Sequence, residues 1–88
     1  VKIVIQEEFV QDLERLHDKK LRKRVEKAVE QLAAAKSLHG IAQIKQLKGA
    51  SHAFRYRIGD YRLGFFLIAG SIHLKCFLHR REVYRDFP

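Results

Sequence analysis

The chain has 88 residues, with 18 Lys plus Arg against 10 Asp plus Glu, for a formal charge of +8 at pH 7. A chain of that length buries only about three-fifths of the surface it exposes when unfolded, so it has core for one sheet and a couple of helices, which excludes large cofactor-binding folds. With 47% hydrophobic residues, one Pro and five Gly, the composition is that of one folded domain spanning residues 1–88 and not of a basic tail. The single cysteine, Cys76, excludes a disulfide framework and suits a reducing, cytoplasmic compartment. No apolar stretch approaches the roughly 18 residues needed to cross a bilayer, and the alternating N-terminus is unlike a signal peptide, so membrane and secretion are not expected. The charge favours phosphates or an acidic protein partner.

Lys2 to Gln6 alternates, with Ile3 and Ile5 on one side, and reads as a β-strand. From Glu7 to Asp18 the spacing of Phe9, Leu13 and Leu16 predicts an amphipathic helix with acidic residues in its first turn. A second helix follows from about Lys19 to Ala35, with Leu21, Val25, Ala28, Val29 and Leu32 on its apolar stripe and Asp18 as N-cap. Its basic run from Lys19 to Lys27 reads as a solvated face that could also follow a phosphate backbone or an acidic partner. After His39-Gly40 comes a connection containing a short strand around Ile44 to Leu47.

Gly59-Asp60 and Gly70-Ser71 then interrupt strongly alternating residues at the spacing of two-residue hairpin turns. The expectation is a three-stranded antiparallel meander over Ala53–Ile58, Tyr61–Ala69 and Ile72–Leu78, followed by a helical turn within Arg80–Phe87. The fold class is therefore α+β. Counting outward from the turns separates an apolar face, which includes Cys76 and Leu78, from a face carrying Arg55, Arg57, Arg62, Gly64, Phe66, Ile68, His73, Lys75, Phe77 and His79.

In that register Arg57, Arg62 and His79 form one cross-strand row. Like charges placed opposite each other are destabilising by several tenths of a kcal/mol, and a bound phosphate converts the repulsion into attraction. The alternative is a wet sheet face with arginines for solubility. A hollow is expected at Gly64, and Phe66, Ile68 and Phe77 are candidates to stack on a base or receive a peptide. The register requires that neither hairpin contain a bulge, since a slip of one residue reverses the faces of a strand.

The five histidines show no HExxH spacing and no Cys pair accompanies them, so no metal or other cofactor is expected. Cys76, on the apolar face, is an inert thiol. There is no Walker or Rossmann glycine pattern and no visible carboxylate pair. What remains is a metal-free anionic site in which arginines hold phosphate and stabilise transition-state charge, while proton transfer falls to His79 or Tyr84. Those elements suffice to cleave RNA through its own 2′-hydroxyl. The competing readings are a strand-end histidine bonded locally and a tyrosine that anchors the terminal segment.

The segments Leu47-Lys48-Gly49, Tyr56 to Leu63 (YRIGDYRL) and His79 to Tyr84 (HRREVY) resemble the signature of RelE/ParE-superfamily toxins. The likeness spans almost the whole chain, including element order, length and basic charge. It implies a small α+β toxin neutralised by a cognate antitoxin and, in the RelE branch, a ribosome-dependent endoribonuclease acting on messenger RNA in the ribosomal A site. By matching positions, Arg62 and Arg80 correspond to the phosphate and transition-state arginines, with Arg81 the alternative to Arg80. Tyr84 corresponds to the aromatic residue that orients RNA. Arg55 stands where RelE-like members often carry a strand lysine, so a lysine-base mechanism does not transfer to it and the burden shifts to His79. Lys48 and Arg57 are RNA-positioning candidates. The ParE branch shares the fold and inhibits DNA gyrase without cutting RNA; a catalytically silent RNA-binding module is the third reading.

Overall fold

The computed structural model describes all 88 residues. The elements run β1 (Lys2–Ile5), α1 (Glu7–Glu14), α2 (Lys19–Ala34), β2 (Ile44–Gln46), β3 (Ala53–Ile58), β4 (Tyr61–Ile68), β5 (Ser71–His79) and α3 (Arg80–Asp86). All five strands join one sheet in the order β1-β5-β4-β3-β2. The expected meander is its centre: β1 adds to β5 in parallel and β2 adds to β3 antiparallel.

The first helix ends earlier than its apolar spacing suggests. Asp18 adopts an extended backbone and its Oδ1 accepts the Leu21 N–H at 3.1 Å, so it caps α2 and the chain must leave α1 before it. The Arg22 guanidinium then reaches back to the carbonyls of Leu13 and Leu16, at 2.6 and 3.0 Å, adding side-chain donors where the helical ladder of α1 runs out. The main core lies between these helices and one sheet face, with Phe9, Val25, Ala28 and Leu32 packed on Tyr56, Ile58, Leu63, Phe65, Ile72, Leu74 and Phe77.

The β3–β4 hairpin keeps the counted register from Ile58↔Tyr61 to Ala53↔Phe66. Gly59, at φ 61°, supplies the left-handed residue that a two-residue turn requires. The β4–β5 hairpin departs in two ways. Its turn is Ala69-Gly70, both with positive φ as in a type I′ turn, so Ile68 and not Ala69 closes the ladder, against Ser71. That change is a shift of an even number of residues and leaves the faces alone. The second departure is a bulge: Gly64 pairs with Cys76 but Phe65 pairs with Leu74, leaving Lys75 as the extra residue.

The bulge reverses the end of β5. Phe77, expected on the open face, enters the main core, whereas Cys76 and Leu78 turn to the opposite face. That face is not uniformly wet, because α3 lies over part of it and Val83 and Phe87 form a second apolar cluster with Ala53 and Cys76. Contacts from α1 hold the bulge: Asp12 Oδ2 accepts the Phe77 N–H at 2.9 Å, and Glu8 pairs with the Lys75 ammonium, which holds the Glu8 carboxyl below its ordinary pKa.

Candidate nucleic-acid interface

Alternation along β3 sends Tyr56 and Ile58 into the core and Arg55 and Arg57 to the other face. Register then gathers cations. Arg57 lies directly opposite Arg62 on β4, and Arg55 lies opposite Lys45 on β2. One Arg62 guanidinium nitrogen donates to the carbonyls of both Gly59 and Tyr61 at 2.9 Å, so the turn that sets the register also holds this side chain.

The last helix supplies the remaining wall. Its start is tied to the first hairpin by the Arg80 N–H, which donates to the Asp60 carbonyl at 2.8 Å, and Val83 and Phe87 anchor it in the second cluster. Tyr84, one position beyond Val83, is thereby carried over β3, where the Arg55 guanidinium stacks on its ring at 4.7 Å from the centroid. Tyr84 is 69% exposed, which leaves ring surface for a ligand.

Arg55, Arg57, Arg62, Lys45, Gln43 and Tyr84 line a hollow of about 270 Å³, completed by Ala42. The chain's ion pairs are Arg15–Asp12, Lys75–Glu8 and Arg85–Asp86, and none involves a residue of this hollow. Its cations face one another without a carboxylate partner, a repulsion that an anion lying between them would turn into attraction.

Arg55, Arg57, Arg62 and Tyr84 are thus brought together as the sequence suggests. The other candidates are not in the hollow. Arg80 and Arg81 lie exposed in the first turn of α3, and Lys48 lies exposed in the turn after β2. His79 requires a correction: the three-cation row does not form. The bulge places His79 opposite Tyr61, whose ring it meets edge-on at 5.5 Å, while Leu78 takes the position beside Arg62. Its Nδ1 accepts the Arg81 N–H at 3.3 Å, making His79 the N-cap of α3.

The expected hollow at Gly64 is likewise filled. A Cβ built there would lie 3.0 Å from the Phe87 ring and 2.7 Å from Cys76 Sγ, so glycine serves to admit Phe87 and not a ligand. Phe77 stacks on Tyr61 within the core, and Phe66 packs between His52 and Phe87, so only Ile68 of the expected stacking trio is exposed. Cys76 is buried, and that burial pushes its thiol up to about 12, consistent with an inert residue. Sequence reading missed Lys45, Gln43 and Ala42. The alternation of Ile44 and Lys45 was the available signal, but only pairing with β3 assigns Lys45 to this face.

A family model described as the ParE toxin of type II toxin-antitoxin system, parDE, matches residues 3–84. The chain belongs to the RelE/ParE toxin superfamily. This RelE/ParE chain is 32% identical to Toxin RelE3 of Methanocaldococcus jannaschii over 89 residues, covering all of both chains. The crystal structure of a RelB-RelE antitoxin-toxin complex from Methanococcus jannaschii superposes with a TM-score of 0.79 at 30% identity, covering 97% of this chain and 99% of that one. A YoeB-YefM complex from Staphylococcus aureus gives 0.71 at 17% identity, over 90% and 95% of the two chains, a likeness of fold. No helix of the RelE/ParE chain is long and apolar enough to cross a membrane.

Proposed function

We propose that this toxin is an endoribonuclease that cuts messenger RNA in the ribosomal A site through the RNA's own 2′-hydroxyl, without a metal. The hollow carries this reading: guanidinium, ammonium and phenol groups line it and no carboxylate does. In the reaction the 2′-oxygen attacks phosphorus, the bond from phosphorus to the 5′-oxygen breaks, and the products are a 2′,3′-cyclic phosphate and a 5′-hydroxyl. No external nucleophile is needed. The protein must align the three atoms, offset the charge that builds on the phosphorane, accept one proton and donate another.

Arg62, held by the carbonyls of Gly59 and Tyr61, is the fixed phosphate ligand, and Arg57 opposite it closes on the same oxygens. Arg55 braces Tyr84, whose ring stacks on a base and whose hydroxyl is available for proton exchange. Arg80, Arg81 and Lys48 meet flanking phosphates at the rim. His79 lies on the other side of the sheet from Arg62 with Nδ1 already engaged, so we assign it to positioning: it caps the helix that carries Tyr84.

The match to a ParE model favours a second reading, inhibition of DNA gyrase by binding. Expression in a translation extract, with message ends mapped alongside gyrase supercoiling, separates the two. Breaks at codon-linked positions are expected; loss of supercoiling with intact messages would overturn the nuclease reading, and intact messages with normal supercoiling would leave a silent RNA-binding module. A cognate antitoxin is the third element of the proposal, supported by the antitoxin-toxin complex of the 30%-identical relative. An acidic segment laid over this +8 chain would hide the hollow.

A further inference from the structure

A second basin adjoins the hollow at Arg57. It measures about 440 Å³ and lies between α2 and the β3 end of the sheet, lined by Arg24, Lys27, Gln31, Tyr56 and Gly59 together with Gln43 and Arg57. Gln43 and Arg57 also line the first hollow, so the two adjoin at these residues. The junction is fixed in the backbone, where the Arg57 N–H donates to the Gln43 carbonyl at 3.0 Å.

Several features of this basin suit an anion. Arg24, Lys27 and Gln31 recur at three and four residues and so share the edge of α2 that faces β3. Arg24, Lys27 and Arg57 take part in none of the chain's ion pairs, and no carboxylate lines the basin. The Gln31 amide oxygen accepts from the Tyr56 hydroxyl, which leaves its N–H groups as donors. Gly59 forms an edge without a side chain, and a Cβ there would sit 3.2 Å from the Arg24 guanidinium. The remaining basic residues at the start of α2 need no such explanation, since they do not line this space.

The geometry points to a second phosphate subsite, in which Arg24 and Lys27 hold a backbone phosphate of the same single-stranded RNA whose scissile phosphate lies at Arg57 and Arg62. The nature of the strand rests on the nuclease reading above; the subsite itself rests on the two basins meeting at Gln43 and Arg57 and on the uncompensated cations of the second. Arg57 then has two roles, one at each end of its reach, and the site reads strand length and not base identity.

The test uses the full chain and 2′-O-methyl RNA, which cannot be cut, as oligomers of about two and about six nucleotides. In the double variant Arg24→Ala, Lys27→Ala the longer oligomer should bind about tenfold or more weaker, and its dependence on salt should fall by about 1.4 in log–log slope, two contacts at about 0.7 each. The shorter oligomer should bind unchanged. Equal loss for both lengths, or no loss for either, would overturn the subsite. So would loss of antitoxin binding with RNA binding intact, which would give the basin to a protein partner. Both replaced side chains are exposed, so circular dichroism should match the parent. Message cleavage is read separately: its absence removes the nuclease proposal and leaves a length-dependent affinity standing, whereas cleavage without length dependence removes only the subsite.

Discussion

In the β3–β4 hairpin every residue from Ala53 to Ile58 finds its partner by counting outward from Gly59-Asp60, whereas the β4–β5 hairpin loses step at Lys75. The two are built from equally alternating sequence. The first lies next to β2 and places its cations opposite one another in the open, so its register is what makes the hollow. The second is flanked by helices on both sides. Its bulge hands Phe77 to the main core and Cys76 to the cluster beneath α3, so that one strand serves two apolar layers. Without the bulge, the Ala69-Gly70 turn would have set Phe77 opposite Arg62 on the open face and taken its ring from the main core.

The sharpest way to break the comparison is at Arg62. Arg62→Ala should lower message cleavage about 10²–10³-fold, the effect of removing one preorganised donor to an oxyanion. Its melting temperature should stay near that of the parent, because its partners are carbonyls of the exposed turn and of the adjacent residue. Cleavage ends mapped by primer extension, beside a thermal melt, would show both. Gly64→Ala acts in the other hairpin and should do the reverse, destabilising by about 1–3 kcal/mol as the added methyl meets Cys76 and Phe87. If Phe87 is the obstacle, Phe87→Leu should relieve part of that loss in the denaturation midpoint.

Asp12→Ala tests what holds the bulge. It strips the Phe77 N–H of its acceptor and should cost about 1–3 kcal/mol in chemical denaturation. A smaller effect separates the two roles for His79. His79→Ala should lose about 1 kcal/mol of capping, and His79→Asn should recover most of it together with cleavage, since asparagine caps well but is neither an acid nor a base at neutral pH. Equal inactivity of both variants would return the proton to His79. At neutral pH the smallest effect is in Cys76. Its thiol stays protonated in the folded chain to about pH 12, while the unfolded thiol ionises near 8.5. Above that lower value the unfolded state binds fewer protons, so stability should fall between those two pH values and be insensitive to this group below them. At pH 8, alkylation should proceed only as fast as the chain opens.

Most elements were legible because their periodicity is local: Leu21, Val25, Ala28 and Leu32 cannot read as anything but a helix face, and Gly59-Asp60 between alternating runs dictates the first hairpin. The bulge was not legible. Lys75 is as good an alternating polar residue as any, and it becomes the extra one through Glu8 and the Asp12 carboxylate, partners 67 and 65 residues away for Lys75 and Phe77. The path of α3 was hidden for a related reason, because Val83 and Phe87 are too few to define a face until Gly64 and Ala53 provide the floor. For the site, the residues set by the first hairpin, Arg55, Arg57 and Arg62, were found. His79 was misplaced by the second, and Lys45 was missed because a three-residue strand announces no register.

The final helix is a clasp, held at its start by Asp60 and along its length by Val83 and Phe87. Its inward side, Val83 and Phe87, seals a greasy seam, and its outward side holds Tyr84 over Arg55, so the two cannot be released separately. An antagonist that gripped only the last few residues would therefore unseat the aromatic wall and bare an adhesive floor at Ala53 and Cys76 in one movement. Loosening that helix would draw the Tyr84 ring out of the hollow without any contact with Arg57 or Arg62.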